Sequence, residues 1–293
     1  MMLSFPRQYN KALRIVSICS IVPISVLLFL VSPLSSLTSL HGPSPNAPTA
    51  WLIATISPAH SQRRRNIIRA TWQSLYEDPA ITTRFVISDP GELWAPLIRH
   101  ENATYGDIIV LSHLNETAHI ANTIKSMELF RYLVESGFHW QFVSKLDDDS
   151  FLDVSTFYRS FILPILDTRS HDLIIIGRRL TYRKPHFDYP GGQFYTLTWE
   201  MTTRLVHLYT LEPIADEHED VLVGRLLDEA GVSWELVELD NPTAFDYDEK
   251  NTDVLANRHA VLAGAINPHK MKDDETYLKV AAMYDSHGLR PES

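Results

Sequence analysis

The stretch that most limits what this chain can fold into is Lys145-Leu146-Asp147-Asp148-Asp149-Ser150-Phe151. Three adjacent carboxylates repel one another. Ahead of them, Trp140-Gln141-Phe142-Val143-Ser144 is rich in apolar residues and reads as a buried strand. Behind them, Phe151-Leu152-Asp153-Val154 leads into a helical segment from Ser155. The acids therefore sit at the carboxyl end of a strand, where open α/β sheets take their ligands. Crowded carboxylates in that position call for a cation. Mn²⁺ and Mg²⁺ suit the role, since they prefer oxygen ligands and are often held by one or two carboxylates plus substrate phosphates. A solvated acidic turn is the plain alternative, and the buried strand before it argues against that.

The flanking pattern extends the strand into a sheet. Trp51 to Ser57, Arg84 to Ser88 and Asp107 to Leu111 read as strands. Helical spacing marks Arg63 to Leu75 and a long amphipathic stretch from His119 to Gly137. After the acids come a strand at Leu173 to Ile176 and a basic, aromatic loop at Arg178 to Tyr189. A turn signal follows at Tyr189-Pro190-Gly191-Gly192, then a strand at Gln193 to Trp199. Helices to Leu211 and over Glu217 to Ala230, a strand at Trp234 to Leu239 and a short helix near Glu275 to Tyr284 complete the reading. Alternation of this kind predicts an α/β fold: a mixed, mostly parallel sheet with helices on both faces.

The 293 residues are 45% hydrophobic and 21% charged, enough for a sizeable core. A formal charge of -10 argues against a nucleic-acid partner. The single cysteine, Cys19, lies in the apolar N-terminal span, so the rest of the chain forms no disulfide and no cysteine-based zinc site. Residues 1–14 carry Arg7, Lys11 and Arg14 and no acid, and 15–31 are almost wholly apolar. That pattern predicts a cytoplasmic tail and a short transmembrane signal anchor, with the remainder across the membrane. A cleaved signal peptide is the rival reading. A short anchor suits the thinner membrane of the Golgi. Residues 32–49 are rich in Ser and Pro and read as a stem, and the globular part begins at Ala50. Asn102-Ala103-Thr104 and Asn115-Glu116-Thr117 are glycosylation sequons beside predicted strand ends, where loops are exposed.

Further residues carry possible chemistry. His218-Glu219-Asp220-Val221 opens a helix, where the dipole favours acids. A carboxylate there can also act as a general base on an attacking hydroxyl. Arg63, Arg64, Arg65 and Arg69 surround the start of the first helix and read as an anion site or as a basic surface. His269 can complete a Mn²⁺ site if the chain folds it back onto the acids. Together these groups suggest a metal-assisted reaction on a phosphorylated donor.

Four blocks then carry a resemblance, in order along the chain. They are Arg65-Asn66-Ile67-Ile68-Arg69-Ala70-Thr71-Trp72; Lys145 to Phe151; Tyr189-Pro190 with Gly192 and Tyr195; and Glu219-Asp220-Val221-Leu222-Val223-Gly224 with Leu227 and Gly231. They resemble the β-1,3-glycosyltransferases of glycosyltransferase family 31, which include galactosyl- and N-acetylglucosaminyltransferases and fringe-type enzymes. The likeness spans Trp51 to Tyr284. It implies a GT-A fold, a UDP-sugar donor, Mn²⁺ (or Mg²⁺) and inversion at the anomeric carbon. The acceptor would be a glycan on protein or lipid, and galactose the foremost sugar. By position, Asp149 would ligate the metal together with Asp147 and His269. Asp147 and Asp148 would support the metal and the ribose, with Lys145, Arg65 and Arg69 on the donor side. Asp220 would be the catalytic base and Glu219 its neighbour. The Tyr189 block is shorter than the family's and the cysteines of animal members are absent, which points to a divergent, fungal-type member.

The sequence leaves two other readings open. One is a non-catalytic lumenal protein that binds nucleotide-sugars or glycans. The intact Asp147 to Asp149 and Asp220 speak against it, because a binder needs no base. The other is a metal-dependent phosphohydrolase, which would want a nucleophilic Asp in another strand order.

Overall fold

The computed structural model describes residues 50–166, 168–211, 216–253 and 255–291. The tail, apolar span and stem at 1–49 lie outside the described residues, and Cys19 with them. Among the described residues no helix is long and apolar enough to cross a membrane.

The chain begins with β1 (Trp51–Ile56), α1 (Gln62–Ile68), β2 (Ile81–Asp89), α2 (Gly91–Tyr105) and β3 (Ile108–Asn115). Next come α3 (Ala118–Thr123), α4 (Lys125–Glu135), β4 (Phe142–Asp147), α5 (Val154–Phe157) and α6 (Leu163–Leu166). Then follow β5 (Ile174–Tyr182), β6 (Phe187–Thr198), α7 (Trp199–Leu211), α8 (Glu219–Glu229) and β7 (Glu235–Glu238). The last part holds β8 (Ala244–Tyr247), β9 (Arg258–His259), β10 (Asn267–His269) and α9 (Asp274–Ala281). Seven strands form one sheet in the order β3-β2-β1-β4-β6-β5-β7. The β3-β2-β1-β4 half is parallel, β6 runs antiparallel to both β4 and β5, and β7 is parallel to β5. The predicted mixed, mostly parallel sheet is found.

β1 lies at the centre and is buried throughout. Its side chains alternate between faces, as the two-residue period of a strand requires. Trp51 and Ile53 pack with Phe85, Phe142 and Trp72 on one side; Leu52 and Ala54 pack with Val86, Phe130 and Val143 on the other. Helices cover both faces for that reason.

Three predicted elements differ. The single helix over His119 to Gly137 is broken at Ile124, whose φ of -119° separates α3 from α4. Gly137, at φ +74°, stops the second piece as expected. The basic segment from Arg178 is no loop, and Tyr189 to Gly192 is no turn: both belong to a long β5–β6 hairpin. Cross-strand pairs hold it. Thr181 Oγ1 donates to Asp188 Oδ1 at 2.8 Å, Arg179 pairs with Asp188, and Tyr182 stacks on Phe187 with centroids 5.1 Å apart. Finally, the Asn102 sequon sits inside α2 rather than in a loop, and its side-chain carbonyl accepts from the Ile108 N–H at 3.0 Å. Asn115 ends β3 and is exposed.

Candidate active site

In-register pairing aligns Ile56 of β1 with Asp147 of β4, so both strands end level with the acids. β10 returns the chain to the same edge. Its parallel pairing with β8 sets His269 opposite Asp246, and the two side chains meet at 2.9 Å through Nδ1. The other ring nitrogen faces the acids: Nε2 lies 3.2 Å from Asp149 Oδ1 and 3.7 Å from Asp147 Oδ2. Ligand atoms of Asp147, Asp149 and His269 all fall within 4.8 Å of one another. A carboxylate on the far imidazole nitrogen is the usual second partner of a metal-binding histidine. Asp246 fills that place and had no signature in the sequence, since only the small β10-β8-β9 sheet brings it there.

Electrostatics reflect the crowding. Burial works to raise Asp149, but hydrogen bonds from His269 and Lys272 overcome it and hold the carboxyl below its usual range. Lys272 Nζ reaches Asp149 Oδ2 at 2.6 Å. Burial pulls His269 down, yet its hydrogen bonds to Asp149 and Asp246 push it up to about 9. Asp148 is pushed up to about 6, first by burial and then by the neighbouring Asp149 charge. All three acids line a cavity of about 420 Å³, bounded elsewhere by Ser57, Pro58, Glu116, Asn122 and Lys125.

Lys145 links the metal-type cluster to the second acidic pair. Its buried ammonium lies 2.8 Å from Asp147 Oδ1 and 2.7 Å from Glu219 Oε1, and it donates to the Gly192 carbonyl. It therefore joins protein groups together and does not line the cavity. Glu219 is buried and pushed up to about 7, chiefly by desolvation, with Lys145 opposing and Asp220 and Asp147 adding to the rise. Asp220 is the more open of the two. Gly192 N–H donates to its Oδ2 at 3.1 Å, and Val221 N–H to its Oδ1 at 2.8 Å. A Cβ on Gly192 would come within 3.1 Å of Asp220 Oδ2, so a glycine lets strand and carboxylate meet. Asp147, Asp149, His269, Glu219 and Asp220 thus converge on one edge of the sheet.

The arginines assigned to the donor side are placed otherwise. Arg65 is fully buried, gives a two-pronged pair to Glu101 at 2.9 and 2.7 Å, and donates to the Pro58 and Ala59 carbonyls. Arg69 turns to Asp107 and Glu101. Both have inward partners because α2, which the sequence reading lacked, supplies Glu101. Arg63 and Arg64 are the pair that borders a smaller cavity of about 280 Å³ with Asp148, Asp149 and Lys272.

No curated protein matches the chain. Among solved structures, the galactosyltransferase LgtC in complex with donor and acceptor sugar analogues is similar at 12% identity and TM-score 0.44, covering 83% of this chain and 97% of that one. Mouse xyloside xylosyltransferase 1 is similar at 12% identity and TM-score 0.42, covering 78% and 99%. A glycosyltransferase involved in glycosylation of the major capsid of PBCV-1 shares 9% identity at TM-score 0.44, covering 80% and 99%. Residues 63–181, from α1 through the acids to β5, match the family described as Galactosyltransferase, and the chain is a glycosyltransferase that carries a domain of that family.

Proposed function

We propose that this glycosyltransferase is an inverting, metal-dependent hexosyltransferase. It would move a sugar, galactose foremost, from a UDP-sugar to a hydroxyl of a glycan on protein or lipid, forming a β-1,3 linkage. One observation carries the reading: Lys145 bridges Asp147 of an Asp–Asp–His cluster to Glu219, whose neighbour Asp220 is the more open carboxylate, while Asp147 and Asp149 line the cavity.

The donor set of Asp147, Asp149 and His269 fits Mn²⁺, with oxygen and imidazole ligands and Asp246 behind the ring. When bound, such an ion supplies positive charge that stabilises the departing diphosphate. The protein does the rest. The cavity beside Ser57, Asn122 and Lys125 receives the nucleoside. Asp220 takes the proton of the acceptor hydroxyl as its oxygen bonds to the anomeric carbon and the carbon–oxygen bond to the diphosphate breaks. Attack comes from the face opposite the leaving group, so no enzyme nucleophile is required. The same reading makes 15–31 a signal anchor and sets the catalytic part in the Golgi lumen. The test is a screen of UDP-hexoses against the full-length protein in detergent, with and without Mn²⁺. UDP release from none of them, by protein shown to be folded, would end the proposal.

Metal entry has a second signature. A metal-binding imidazole must be neutral, whereas His269 is held near 9 by its acidic partners. At pH 7 its proton must leave. Calorimetry in buffers of different ionisation enthalpy is expected to show about one proton released per Mn²⁺ bound. Apparent affinity should climb with pH and level off near 9. Proton-neutral binding would mean that His269 is not a ligand.

A further inference from the structure

The pairing of β5 with β6 is interrupted beside the acids. Gly177 pairs with Tyr195 and Arg179 with Pro190, so the residues from Gly191 to Phe194 stand opposite Arg178 alone. On the other side, β6 pairs with β4 only from Phe194 onward. Gly192 therefore takes no place in either register. Bulges of this kind leave backbone groups unpaired and are common next to active sites. Here side chains take both groups of the freed residue. The Gly192 N–H donates to Asp220 Oδ2 at 3.1 Å, and the Gly192 carbonyl accepts from the Lys145 ammonium.

The same ammonium reaches the acids. Lys145 and Asp147 are two apart on β4 and so share a face of the sheet. Lys145 Nζ lies 2.8 Å from Asp147 Oδ1 and 2.7 Å from Glu219 Oε1. An ammonium has three N–H donors, and Asp147, Glu219 and the Gly192 carbonyl supply an acceptor for each. No donor is left for a substrate. Glu219 and Asp220 are consecutive in the first turn of α8. The lysine thus grips both the neighbour of the base and the peptide on which its carboxylate rests. An unbroken line of polar contacts runs from Asp147 through Lys145 and the Gly192 peptide to Asp220.

We propose that Lys145 is a positioning residue: through the Gly192 peptide and Glu219 it fixes the Asp220 carboxylate at a set distance from the metal ligands. The base stands on α8 and the metal ligand Asp147 on β4, so their separation depends on a tie between the two elements. Attack on the anomeric carbon tolerates little displacement, and a misplacement on the order of 1 Å can cost about 10²-fold in rate. The inference rests on the roles assigned above to Asp147 and Asp220.

The experiment compares the full-length protein with the double variant Lys145→Met, Glu219→Gln, using the UDP-hexose that the parent turns over fastest. The double variant removes one charge of each sign, so the field at the metal cluster stays close to what it was. For UDP release, kcat is expected to fall about 10²-fold. Donor KM and the Mn²⁺ affinity measured by calorimetry should stay within about threefold of the parent. Added to Asp220→Asn, the double variant should cost less than about threefold more, because it acts through that carboxylate. A lysine that only stabilised the fold would give the same fractional loss on either background. Gly192→Ala carries the same test with Lys145 in place and serves if the double variant does not fold. Its Cβ would crowd Asp220 Oδ2 at 3.1 Å, and kcat should drop about tenfold at unchanged Mn²⁺ affinity. Three results overturn the proposal: losses that multiply fully with Asp220→Asn, an unchanged kcat in either variant, or a Mn²⁺ affinity lowered more than about tenfold, the mark of a residue that supports the metal. A parent protein that turns over no UDP-hexose defeats the transferase reading itself, and this inference falls with it.

Discussion

Replacing Asp220 by Asn is expected to lower turnover by about 10²–10⁴-fold, the usual contribution of a general base. The amide is nearly the same size, and its carbonyl oxygen can still accept from the Gly192 N–H. It cannot take a proton from the acceptor. The donor side is untouched, because Asp147, Asp149 and His269 reach one another without Asp220. Donor affinity in the presence of Mn²⁺ should therefore stay within about twofold, and the loss should fall on kcat. Steady-state UDP release combined with donor titration separates the two. The competing candidate is Glu219, raised to about 7 and so near the working range of a base. Its geometry argues otherwise: it is buried, and Lys145 lies 2.7 Å from its carboxylate. A carboxylate clasped by an ammonium is a poor proton acceptor. If Asp220→Asn turned over at an unchanged rate, that argument would fail and Glu219 would inherit the role.

What the sequence made legible follows a physical line. Strands buried on both faces announce themselves by runs rich in apolar residues, so β1 and the start of β4 are legible, and the acids at the end of β4 with them. His269 was readable as a conditional ligand. The condition, return to the acids, depends on β10 pairing with β8, and those strands are too short to leave a periodic signal. Asp246 was hidden for the same reason. The hairpin is not legible because Pro190, Gly191 and Gly192 have turn chemistry, while the cross-strand stack and ion pair that make the segment a strand are not local. Arg65 and Arg69 look free for an anion in the sequence because their counter-charge, Glu101, lies 36 residues on from Arg65, in a helix whose apolar periodicity is weak.

The buried Arg65–Glu101 pair carries the largest expected effect on stability. Glu101→Ala should destabilise the fold by about 3–5 kcal/mol, the typical cost of removing one partner from a buried ion pair. Glu101 is 1% exposed and Arg65 is fully buried, so the change strands a guanidinium that water cannot reach. What it keeps are neutral acceptors: the Pro58 and Ala59 carbonyls and, at 3.4 Å, Ser57 Oγ. Arg65→Met should cost less, since Glu101 retains Arg69 at 2.8 Å. Burial works against the Glu101 charge, but hydrogen bonds from Arg65 and Arg69 outweigh it and lower the carboxyl below 4.5. A lowered carboxyl contributes stability above its unfolded value and loses it as pH falls through the folded one. The gap between the parent protein and Glu101→Ala should therefore be full at neutral pH and narrow below about 4.5. Urea unfolding at several pH values measures both the gap and its slope. The donor-side assignment makes the opposite forecast for Arg65→Met: unchanged stability with a raised donor KM. A stable Glu101→Ala, losing under about 1 kcal/mol, would show that the pair is not the clamp its geometry describes, and would return Arg65 to the ligand.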